Sequence, residues 1–81
     1  MATKTFKSEY HMGGEIKVTT DTKKNEVVIL NCGNTYKFNT QSSDCKSKID
    51  WTLFELTSSY YTEVIIKWIE SKIKLSEPSF W

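Results

Sequence analysis

The chain has 81 residues, with eleven lysines against ten acidic side chains and a formal net charge of +1. That length makes 1–81 a single domain, which buries only about 60–65% of its unfolded surface. Aromatic residues are 14% of the chain, among them three Trp and four each of Tyr and Phe, which excludes a disordered polymer.

Neither half of the chain is a polycation. Residues 1–40 carry six lysines against four acids, and residues 41–81 carry five against six. Nonspecific nucleic-acid binding needs concentrated positive charge, so composition gives it little support. No arginine occurs, so no planar bidentate fork is available for phosphate or guanine. Ala2, Gly13, Gly14, Gly33 and Pro78 are the only residues with GC-rich codons. That skew points to an AT-rich coding genome such as that of a phage, a low-GC bacterium or a large DNA virus. Met1–Lys7 has no apolar run behind it, and no window approaches the ~20 apolar residues of a membrane span. A cytoplasmic protein is expected, in the host cytoplasm if phage-encoded, with no membrane partner.

Residues 1–40 read as an antiparallel meander of three to four strands. Thr3 to Tyr10 alternates, with Phe6, Ser8 and Tyr10 on one face. His11-Met12-Gly13-Gly14 breaks that pattern as a turn. Ile16 and Val18 mark one face of a half-buried strand, and Lys17 lies on the other. Asp21 to Asn25 is a polar hairpin loop. Glu26 to Asn31 is apolar on both faces and β-branched, as a central strand should be. Cys32-Gly33-Asn34 is a tight turn, and Tyr36 and Phe38 face inward from the strand that follows.

Residues 41–49 read as a polar, mobile connector. Beyond it, Tyr61, Ile65, Trp68, Ile69 and Ile73 form one stripe of a helix. Glu63 with Lys67, and Glu70 with Lys74, are i,i+4 pairs on another face. The expectation is one long amphipathic helix over 50–75, kinked near Ser58, with a start at Asp50 or at a Thr52–Glu55 capping box. The alternative is a fifth strand through Ile49, Trp51 and Leu53, then a helix capped at Ser58 or Ser59. Residues 76–81 form an aromatic tail ending in Phe80 and Trp81, which pack on the sheet, across a homodimer interface or into a partner.

No constellation of catalytic or metal-ligating residues is legible. His11 is the only imidazole, and Gly13-Gly14 lacks the lysine of a phosphate-binding loop. Cys32 and Cys45 with one histidine match no zinc pattern, so no cofactor or metal is expected. Both thiols are expected to stay reduced in a cytoplasmic protein. The alternative disulfide would close a loop worth ~3 kcal/mol in the chain-entropy model.

The reading is therefore an α+β domain that is not an enzyme. It is a small protein-binding inhibitor or modulator, of the phage host-takeover or anti-defence kind, acting on a host or bacterial protein. Phe54, Tyr60, Ile66, Phe80 and Trp81 are its expected partner-binding residues. The alternative is a single-stranded nucleic-acid-binding module that uses Lys7, Lys17 and Lys37 with aromatic stacking.

Overall fold

In the computed structural model, residues 1–8 and 14–76 are described. His11, Gly13, Phe80 and Trp81, with the expectations attached to them, lie outside the described residues. Four strands, β1 (Ala2–Lys7), β2 (Glu15–Asp21), β3 (Glu26–Asn31) and β4 (Asn34–Asn39), precede two helices, α1 (Cys45–Leu56) and α2 (Ser59–Lys72). The sheet is an antiparallel meander in the order β1-β2-β3-β4, an α+β fold as expected.

Turn chemistry sets the register. In the β3–β4 hairpin, Cys32 and Gly33 both take positive φ, 49° and 84°. Two such residues give a turn whose twist matches the flanking strands, and Gly33 accepts that geometry without steric cost. In the β2–β3 loop, Asp21 Oδ1 accepts from the backbone N–H groups of Lys23 and Lys24 at 3.0 and 3.2 Å. Asn25 closes that loop at φ 51°. The resulting pairing aligns Phe6 with Ile16, Val18 with Ile29 and Ile29 with Tyr36 on one largely apolar face, which also carries Lys4, Thr20 and Asn31.

Both helices cover that face, α1 over β4 and α2 over β2. The core joins Ile16, Val18, Val27 and Ile29 of the sheet to Ile49 and Leu53 of α1 and to Ile65 and Ile69 of α2. Tyr36, Phe38 and Trp68, expected in the core, are only partly buried against it. Tyr36 and Phe38 sit on an edge strand, and Trp68 seals the opposite edge. There the Phe6 ring meets Trp68 and Tyr61 edge-on, at 5.9 and 6.1 Å between centroids. Lys4 Nζ lies 5.3 Å from the centre of the Phe6 ring.

The expected single helix is two helices, and Ile49, Trp51 and Leu53 lie in the first of them rather than in a fifth strand. The first begins at Cys45, inside the expected connector, because Cys45, Ile49 and Leu53 recur every four residues and all are buried. Thr52, Glu55 and Asp50 are thus interior to α1 rather than its caps. At Thr57 the chain turns fully extended, and Ser58 caps α2 by accepting from the Tyr61 N–H at 3.2 Å. The kink expected near Ser58 is therefore a complete break. Thr57 and Ser58 favour caps over helix interiors, and the break folds α1 back beside α2. Ser58→Ala is expected to cost ~1 kcal/mol, read as a lower urea midpoint with unchanged slope.

After α2 the chain returns to the sheet. The Ser76 N–H donates to the Thr40 carbonyl at 3.0 Å, and Leu75 is buried.

Candidate functional site

The two surfaces of the molecule differ in chemistry. The open face of the sheet carries Thr3, Thr5 and Lys7 of β1, Glu15, Lys17 and Thr19 of β2, Val28 and Leu30 of β3, and Thr35 and Lys37 of β4. Lys7, Lys17 and Lys37 therefore do share one face, as the alternation implies. Glu15 stands directly opposite Lys7 and dilutes the charge. The described strands place no aromatic ring on this face: Phe6, Tyr36 and Phe38 all project to the core side.

The outer face of the helix pair is different. Trp51 and Tyr60 are each 72% exposed, Phe54 41% and Val64 36%. Helical geometry explains the grouping. Trp51 lies two residues from both Ile49 and Leu53, so it faces away from the core. Phe54 follows it by three residues, and the two rings meet edge-on at 6.2 Å. Val64 lies one turn beyond Tyr60 on α2.

Between the helices runs a groove of about 390 Å³ lined by Asp50, Phe54, Ser59, Tyr60, Thr62 and Glu63. Burial pushes the Asp50 carboxyl above its ordinary range; Lys46 opposes the shift and Glu70 adds to it. Thr62 is 1% exposed, and its Oγ1 has no hydrogen-bond partner. At the far end of the helix pair, Lys46 reaches Glu70 at 3.7 Å.

Of the residues expected to bind a partner, Phe54 and Tyr60 border this groove, whereas Ile66 does not. Ile66 is buried in the core, at 5% exposure. The expectation assumed a helix with only the sheet behind it. With α1 folded alongside, α2 has a second buried flank, and Ile66 falls on it. Trp51, absent from that expected set, is exposed beside Phe54. The signal was present in the four-residue spacing of Cys45, Ile49 and Leu53, which turns Trp51 outward.

Two substitutions probe the groove. The proton on Asp50 is held more tightly in the folded chain than in the unfolded one. The ionised form therefore costs stability above the folded-state pKa, and that cost vanishes as pH falls below the unfolded value near 3.8. Asp50→Asn should raise the melting temperature slightly at pH 7 and leave it unchanged near pH 3. Thr62→Val removes the orphaned hydroxyl and should stabilise by ~1 kcal/mol in chemical denaturation.

Among the described residues, no group of three or more His, Cys, Asp or Glu side chains could hold a metal ion. No helix among them is long and apolar enough to cross a membrane. The chain matches no protein-family model, and neither the curated proteins nor the solved structures contain a significant match.

Proposed function

We propose that the protein is a small, noncatalytic protein-binding module, an inhibitor or modulator that docks through the outer face of its helix pair. One observation carries this reading: Trp51, Phe54 and Tyr60 are exposed side by side, Trp51 against Phe54 edge-on and Phe54 with Tyr60 along one groove. Trp, Tyr and Phe are enriched where proteins bind one another, and few are expected on a surface with no partner. The composition favours a phage-encoded product acting on a bacterial protein in the host cytoplasm.

A second reading rests on Lys7, Lys17 and Lys37, which share the open sheet face. They would track the phosphates of a single strand. A stacking platform also needs rings beside the cations, and the described part of that face has none.

One comparison separates the two. Three immobilised proteins are exposed to bacterial lysate: wild type, a Trp51→Ala/Tyr60→Ala variant and a Lys17→Ala/Lys37→Ala variant. Melting curves first verify that all three fold. A protein retained by wild type and by the lysine variant, and lost by the aromatic variant, is the expected result. Equal capture by the aromatic variant would defeat the helix-face reading. Nucleic acid released steeply with salt, and lost only in the lysine variant, would establish the second.

A further inference from the structure

We infer that the groove at the closed end of the helix pair receives a positively charged side chain of the partner, a lysine or arginine presented by a basic segment. The inference rests on the helix face being a protein-docking surface, and it names the chemistry of what docks there.

Charge is the first ground. From Ile49 to Ile66 the chain carries Asp50, Glu55 and Glu63 and no lysine, in a protein whose overall charge is +1. The nearest cation on α1, Lys46, is one turn away and already paired with Glu70. An acidic partner segment would be repelled. A purely apolar one would strip water from the Asp50 and Glu63 carboxylates, which is costly.

The walls are the second ground. The Phe54 and Tyr60 rings line the same groove as the Asp50 and Glu63 carboxylates. Ring faces attract ammonium and guanidinium groups, and adjacent carboxylates strengthen that attraction. The floor is the third. Thr62 lines the groove, and its buried hydroxyl oxygen has no partner. That oxygen can accept a hydrogen bond, and lysine and arginine side chains bring donors only.

The test is an NMR titration of the ¹⁵N-labelled chain with three blocked hexapeptides: one of Lys, Arg and Gly, one neutral and one acidic. The basic peptide should shift the Trp51 indole N–H and the amides of Phe54, Tyr60, Thr62 and Glu63. Its affinity should fall ~3-fold to ~10-fold in Asp50→Asn and in Glu63→Gln. It should also fall as salt rises from ~0.05 to ~0.5 M. Equal shifts from the neutral peptide, unaffected by the carboxylate variants, would overturn the cationic inference and leave protein docking standing. No shift at these residues from any peptide would also overturn it, while the lysate comparison judges docking separately. Shifts that grow with protein concentration alone would mean that a second copy occupies the groove, and would likewise sink it.

Discussion

Ile29→Ala is expected to remove a large share of the chain's stability and to lower its melting temperature by ~8 °C or more. Ile29 sits on β3, flanked by β2 and β4, opposite Val18 on one side and Tyr36 on the other. It is fully buried. Truncating such a side chain removes its transfer free energy and leaves a cavity, together ~2–5 kcal/mol. A chain of this length has only ~4–12 kcal/mol in total, at ~0.05–0.15 kcal/mol per residue. Each kcal/mol lost lowers the melting temperature by ~4–8 °C in a domain of this size. Circular dichroism should therefore show a fall of ~8 °C or more. Trp51→Ala is the control. It removes a larger side chain but one that is 72% exposed, so stability should move by no more than ~0.5 kcal/mol. If the two variants melt together, the division of this chain into a core and an interaction face is wrong.

That division was legible in the sheet and less so in the helices. Ile16 and Val18 alternate with Glu15, Lys17 and Thr19, and a period of two can bury only one of those sets. The register follows once the Cys32-Gly33 turn is placed, because a two-residue loop fixes which residues face each other. The same alternation put Lys7, Lys17 and Lys37 on one face. In the first turns of α1, by contrast, only Cys45 and Ile49 are buried, and Lys46, Ser47 and Lys48 lie between them. A stripe so narrow resembles a polar connector in a linear sequence. The break at Thr57 and Ser58 is legible as weak helix propensity and as the alternative cap at Ser58, which the second helix uses. Its consequence was not visible, because the angle at which two helices meet depends on packing and not on local preference. Two differences follow from that one event: Ile66 is buried rather than exposed, and Trp51 faces outward beside Phe54. Phe54 and Tyr60 stay exposed because they border the seam between the helices from its solvent side.

Cys45 is expected to resist alkylation at neutral pH while Cys32 reacts readily. The two thiols are unbridged and in opposite environments, Cys32 exposed and Cys45 buried. Burial raises the Cys45 pKa, although a hydrogen bond with the Ser76 backbone opposes the shift. Its Sγ lies 3.4 Å from the Thr40 carbonyl oxygen and 3.5 Å from that of Ser76. Thiolate is the reactive form, so burial suppresses both access and the attacking species. Modification must then wait for the segment after α2 to lift from Thr40, where the Ser76 N–H holds it at 3.0 Å. An opening that costs even ~3 kcal/mol slows labelling by ~100-fold or more. Mass spectrometry after timed iodoacetamide exposure should show one adduct within minutes and the second only in denaturant. Two adducts at equal rates would mean that the strap from Ile73 to Ser76 does not close over α1, and that the core is open at that end. Early labelling of Cys45 in Leu75→Ala but not in wild type would identify the strap as the gate. Leu75 is the buried apolar anchor that holds it down.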